Sequence, residues 1–357
     1  MNEQALNIST GRKYWIDVLR ALGIILVVLG HVSKEPNTVI FIYAFHMPLF
    51  FLLSGFLFNR HRYDLRTFII RRSQKLLLPY AFFYLLTLLW WWLVECNFPP
   101  PPPPPPPPPV CSGITWWQRL IPLMWGSNIN GWMSHNIVLW FLPALFSTEV
   151  LARLLADYIC CRKTIFVVSV LCAVLGLGLY TKGIEWLPMG LNVALVALPF
   201  YVTGWMVAER VQYWTHVRHV ILVAVGCCLL LLIAVHEGWA TRIDMASGQY
   251  GCFLLFLLWS GVGCMMMIAI AIALGRVSWI EHIGYSTSTL VIMAIHGIIL
   301  RIVIFTISRM TNVGTGDLRE NLWICILITM IVIGVCLPFV GLYKRCVNKL
   351  ICRCIKN

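Results

Sequence analysis

The chain has 357 residues, 60% hydrophobic and 11% charged, against about 45–50% and about 25% in an average soluble domain. That is too little charge to coat a water-soluble globule of this size, so a soluble enzyme, a coiled coil and a disordered chain are excluded. The net charge of +13 invites a nucleic-acid surface, but basic residues also orient membrane spans, and where they sit decides between the two.

Long apolar runs recur from Ile24 to Leu342. They predict an all-α polytopic membrane protein with about ten spans, near 14–33, 38–58, 76–95, 137–157, 164–181, 189–208, 219–236, 249–274, 283–307 and 321–343. With a cytoplasmic N-terminus, the inner segments hold 18 Lys/Arg and the outer ones 6, while Arg20, Arg153 and Arg301 fall within spans. That asymmetry predicts cytoplasmic N- and C-termini. It also makes the basic excess a matter of topology, with no nucleic-acid partner. The first span is expected to stay attached and not to be cleaved as a signal, because Asp17 and Arg20 interrupt it and no small-x-small site follows.

Charged groups inside spans are functional candidates by default. In the first span Asp17 and Arg20 are spaced i, i+3, close enough to pair. Arg20 and His31 are eleven residues apart, which places them about 20° apart around a helix and roughly 16 Å along it. One face thus carries a charge pair near the cytoplasm and a histidine near the outer boundary. The second span opens with Phe45-His46-Met47-Pro48, placing His46 near the same boundary, and its Ser54-Gly55 is a small patch where helices approach closely. The inner loop that follows carries Arg71, Arg72 and Lys75 before Leu76-Leu77-Leu78-Pro79. These cations suit anionic lipid or the phosphates of a cytosolic ligand, and composition does not choose between them.

The outer loop 96–118 contains eleven consecutive prolines, Pro99 to Pro109. All-trans, they form a polyproline rod of roughly 34 Å. Cys96 and Cys111 flank the rod, but a disulfide needs Cα atoms about 5–6 Å apart, which a stiff rod opposes. The rod is either a docking arm or a tolerated insertion. Seven of the 14 cysteines lie in apolar runs, none has zinc spacing, and no metal is expected. Glu149 in the fourth span is either a second acid/base or the charge partner of an arginine, and Arg301 in the ninth has similar standing. His61, His216, His219 and His282 fall in predicted inner loops, and His135 and His236 at outer margins.

Several of these features together resemble the acyltransferase 3 family of integral membrane acyltransferases. They are Arg20 with His31 eleven residues on, His46-Met47-Pro48-Leu49-Phe50-Phe51 running into Ser54-Gly55, and Arg72-x-x-Lys75 before Pro79. Trp140-Phe141-Leu142-Pro143-Ala144-Leu145 is similar to the fourth-span motif of the fucose O-acetylase-like branch, and Gly284-Tyr285-Ser286 through His296 to a later family stretch. The resemblance covers nearly the whole chain, implying a single acyltransferase domain over 1–357. It is specific at the N-terminal motifs and looser after the fourth span.

The resemblance implies transfer of an acetyl or related acyl group from cytosolic acyl-CoA to a hydroxyl of a surface polysaccharide, such as an O-antigen, or of its lipid-linked precursor, at a bacterial inner membrane. It implies His31 as the catalytic histidine and Arg20 with the basic pair before the third span as handlers of acetyl-CoA, the acyl-donor substrate. His296 is implied as a liner of the site. Lys75 stands where the family pattern has a second arginine, which keeps the charge but loses the bidentate fork. The proline run is foreign to the pattern. The alternative from another class is an exporter or flippase of glycan intermediates; a third is acyl transfer to a lipid or antibiotic.

Overall fold

In a computed structural model of the chain, residues 3–97, 115–128, 131–184, 187–208, 211, 217–275 and 277–356 are described. The proline run, Cys111 and His216 lie outside them. Helix makes up 81% of the structure, with no strand among the described residues. Among the described residues, ten helical segments are long and apolar enough to cross a membrane, as the hydropathy predicts. They bury little of their outward faces: Leu222, Leu229 and Leu230, like Val167, Leu171 and Leu175, are exposed. Apolar surface on that scale fits a hydrocarbon solvent.

The helices in chain order are α1 (Glu3–Val32), α2 (Pro36–Tyr43), α3 (His46–Phe56), α4 (Leu65–Arg72), α5 (Leu78–Trp90), α6 (Ile121–Trp125), α7 (Phe141–Tyr158), α8 (Arg162–Thr181), α9 (Leu191–Val207), α10 (Val217–His236), α11 (Phe253–Leu274), α12 (Ser278–Gly284), α13 (Ser286–Thr311) and α14 (Leu322–Lys356). The chain divides into two compact units, Met1–Phe50 with Arg210–Ile243 and Tyr250–Asn357, and Phe51–Glu209 with Asp244–Gln249.

In the first unit α1 is the hub, packed by α11, α12, α13 and α14, while α10 packs on α11 and α13 on α14. Membrane helices gain little from burying apolar groups against one another, so close approach matters more. At Gly284, the last residue of α12, a Cβ would strike the backbone carbonyl of Asp17 on α1. Only glycine lets the two backbones touch there. On α11, Ser260 donates its hydroxyl to the carbonyl of Ala44 at 2.6 Å, at the break between α2 and α3.

In the second unit α9 packs on α7 and α8. Its core comprises Phe58, Phe68, Ala152, Ala156, Ile165, Leu198, Tyr201 and Val202. The small patch predicted at Ser54-Gly55 is a helix crossing: a Cβ on Gly55 would meet the Tyr201 carbonyl, and one on Gly204 the Leu52 carbonyl. The entry to α9 holds Met189 in the left-handed region at φ 54°, a conformation non-glycine residues rarely adopt. The Ser147 hydroxyl fixes that turn by donating to the Met189 carbonyl at 2.8 Å.

Two segments depart from the sequence-based expectation. The predicted inner loop before the third span is helical from Leu65, because Asp64 caps α4 by accepting the Thr67 N–H at 3.1 Å. A π-turn over Ser73–Leu77 then carries α4 into α5, so Arg71, Arg72 and Lys75 sit on a helix and not in a loop. The second span is not continuous either: Ala44 and Phe45 form a turn between α2 and α3. His219 and His282, expected in loops, lie on α10 and α12.

Candidate active site

Helix α1 ends at His31-Val32, leaving its last carbonyls without intrahelical donors. Arg319, from the turn before α14, supplies them: its Nη2 donates to the His31 carbonyl at 2.8 Å and its Nε to the Val32 carbonyl at 2.7 Å. Burial lowers the pKa of this guanidinium from its ordinary value, yet an arginine remains the cation.

The His31 ring stands 5.2 Å from that of His296 on α13, tilted by 45°, and 6.3 Å edge-on from Tyr43 on α2. Tyr43 in turn lies 4.7 Å from His46, with the Arg242 guanidinium 4.8 Å over its ring. His46, His296, Arg242 and Arg319 are all within electrostatic reach of His31. Three histidines from α1, α3 and α13 therefore share one neighbourhood.

The hydrogen bonds of His296 and His46 assign their tautomers. His296 is fully buried, and its Nδ1 lies 3.0 Å from the Ile292 carbonyl and 2.8 Å from that of Met293. Carbonyls only accept, so Nδ1 carries the hydrogen of the neutral ring and Nε2 keeps its lone pair. That Nε2 is buried with no hydrogen-bond partner among the described residues. His46 is held the same way, its Nδ1 2.9 Å from the Ile42 carbonyl. The arrangement offers imidazole bases inside a protein wall, a setting suited to taking a proton from a hydroxyl.

Further along α1, Arg20 donates from Nη1 to Asp17 Oδ1 at 2.7 Å. The pair expected from i, i+3 spacing is present, on the turn of α1 that Gly284 abuts.

The remaining sequence-derived residues belong to the second unit. Glu149 on α7 is buried and faces Arg72, with Arg72 Nε 3.1 Å from Glu149 Oε2 and Lys75 also in electrostatic reach. Arg72 also stands 5.4 Å over the Phe68 ring. Arg71 is exposed and lies 4.6 Å over the Tyr63 ring. Ser54 is half-buried beside the Gly55 crossing. Removing one partner of a buried ion pair leaves an uncompensated charge, a loss of about 3–5 kcal/mol. Glu149→Ala is therefore expected to lower the melting temperature of the detergent-solubilised protein clearly, and Glu149→Gln less, as read by intrinsic fluorescence on heating.

Sequence reasoning missed Tyr43, Arg242 and Arg319 near His31. Tyr43 lies three residues before His46 and could have been flagged by that spacing. The two arginines counted only as outer-loop charge, and nothing local marks a loop arginine as the cap of a helix 288 residues away. His135, which carries no sequence pattern, is buried with its ring 4.6 Å from that of Tyr84.

Neither the curated proteins nor the solved structures contain a match to this chain. A family model described as an acyltransferase domain matches residues 13–343, nearly the whole chain, including α1 from the first described side chains through most of α14. The chain belongs to the acyltransferase 3 family and is a membrane acyltransferase.

Proposed function

We propose that the protein is an O-acetyltransferase that moves an acetyl group from cytosolic acetyl-CoA to a hydroxyl of a cell-surface polysaccharide or its lipid-linked precursor, in a bacterial inner membrane with both termini cytoplasmic. The observation that carries this reading is the half-buried His31 ring standing 5.2 Å from the buried His296, whose Nε2 has no hydrogen-bond partner among the described residues. His31 accepts the proton of the acceptor hydroxyl as its oxygen bonds to the acetyl carbonyl carbon. The carbon–sulfur bond then breaks, and the proton passes to the departing thiolate.

The acyl donor is a polyanion, and Arg71, Arg72 and Lys75 are the cations assigned to it. Arg72 already answers Glu149, so the exposed Arg71, with Lys75, takes the larger share of phosphate recognition. Asp17, Arg20 and His46 are assigned to substrate binding within the unit that carries His31. Ser54 serves the packing of α3, and Glu149 serves as the counter-charge of Arg72.

Mass and NMR analysis of the surface polysaccharide, with and without the gene, tests this reading. Loss of O-acetyl groups from an otherwise exported polymer is expected. Loss of the polymer itself would instead favour an exporter or flippase of glycan intermediates, and an unchanged O-acyl pattern would overturn the proposal. Cysteine accessibility checks the sidedness: label reaching position 31 only from the cytoplasm would contradict transfer near the outer face.

A further inference from the structure

The last turn of α1 and the segment between α13 and α14 are joined by more than packing. Arg319 places two arms of one guanidinium on the carbonyls of His31 and Val32, at 2.8 and 2.7 Å. The backbone closes the loop in return, the Lys34 N–H donating to the Arg319 carbonyl at 2.8 Å, and the Cys325 thiol, from the first turn of α14, reaches the same carbonyl at 3.3 Å. The joint therefore ties the residue bearing the His31 ring to the connection that leaves α13, the helix bearing His296.

We infer that Arg319 is a positioning residue for His31, its guanidinium fork fixing the end of α1 so that the imidazole is held against His296. The inference rests on the reading of His31 as the catalytic base. The chemistry of the clamp favours arginine specifically. A cation at a helix C-terminus answers the partial negative charge of the exposed carbonyls. The planar fork holds two donors in a fixed geometry that matches the two acceptors, where a lysine ammonium behaves as a point charge on a flexible stem. Arg319 acts through the His31 backbone, so its removal changes where the ring sits and leaves donor recognition intact. Small misplacements of a reacting group reach about 10²-fold in rate.

The test uses the full chain in membrane vesicles containing the host's own surface glycan, with labelled acetyl-CoA as donor. Arg319→Ala is expected to lower kcat about 10²-fold with KM for acetyl-CoA unchanged, and Arg319→Lys to fall between it and the wild type. Millimolar guanidinium is expected to restore part of the Arg319→Ala rate and to leave the wild type unaffected. A melting measurement accompanies each variant, and Arg319→Lys keeps the test decisive should the alanine form fail to fold.

Unchanged kcat in both variants would overturn the inference. So would a loss that merely follows the folded fraction, or a rise in KM matching the fall in kcat. His31→Ala in the same vesicles separates the two levels of argument: if it retains the wild-type rate, the catalytic reading of His31 fails; if it is inactive while Arg319→Lys is fully active, only the positioning role fails.

Discussion

Replacing His31 with Ala is expected to reduce O-acylation of the surface glycan about 10²–10⁴-fold, the range supplied by a positioned acid–base group, while polymer export continues. The size follows from the surroundings of the ring. Its neighbours His46 and His296 each have Nδ1 committed to a main-chain carbonyl, and neither lies on α1, so neither can take the position His31 vacates. His31→Gln tests the same point with a side chain of similar reach that keeps a hydrogen-bonding tip but cannot take up a proton, and it is expected to be as inactive. Quantifying O-acetyl groups per repeat unit, alongside the amount of surface polymer, reads both halves of the result. A variant that acylates normally would remove His31 from the chemistry.

The second large effect concerns the fold. Alanine is favoured over glycine within helices by about 1 kcal/mol, so Gly→Ala on a helix ordinarily stabilises. Gly284→Ala is expected to do the reverse, because the added methyl would occupy the space of the Asp17 carbonyl. Relief requires α12 to move away from α1, and the contact is with backbone, which has no rotamer to change. The loss is expected to exceed the ~1–3 kcal/mol typical of an overpacked core. It should be visible as a lowered melting temperature and reduced yield of monodisperse protein in detergent. Gly297→Ala on α13, where nothing stands within 4 Å of the new methyl, is the matched control, and it is expected to be neutral or stabilising. Equal behaviour of the two variants would refute the backbone contact as the cause.

The ten spans were legible because each has at least 19 residues, close to the ~20 that a hydrocarbon core of about 30 Å needs, and the chain has so few charges to interrupt them. The Asp17–Arg20 pair was legible for a local reason: i, i+3 spacing on one helix decides it. Gly55 was legible because small residues mark close crossings, although its partner Gly204 was not. What escaped was long-range or a matter of hydrogen-bond bookkeeping. The turn at Ala44-Phe45 has an apolar sequence like its surroundings, and it depends in part on Ser260, far along the chain, to satisfy the Ala44 carbonyl. The helical start at Leu65 was hidden because a basic, polar stretch was read as loop, when Asp64 was the cap that announced it. Arg319 was invisible as a cap because proximity created by folding leaves no mark in spacing, whereas Tyr43, three residues before His46, carried a spacing that went unread.

The π-turn at Ser73–Leu77 bears on how the basic motif is to be counted. A π-turn admits one residue more than an α-turn, so side chains beyond it are rotated in phase relative to those before it. Arg72 precedes the phase slip and Lys75 falls inside it, yet both lie within electrostatic reach of the one carboxylate of Glu149. Two cations written three apart are thus not two rungs of a regular ladder: one stands before a dislocation and the other within it. In comparisons between relatives, this stretch should be aligned with a one-residue slip permitted between Arg72 and Pro79, since a relative that lacks the extra residue would present the same charges at a different angle.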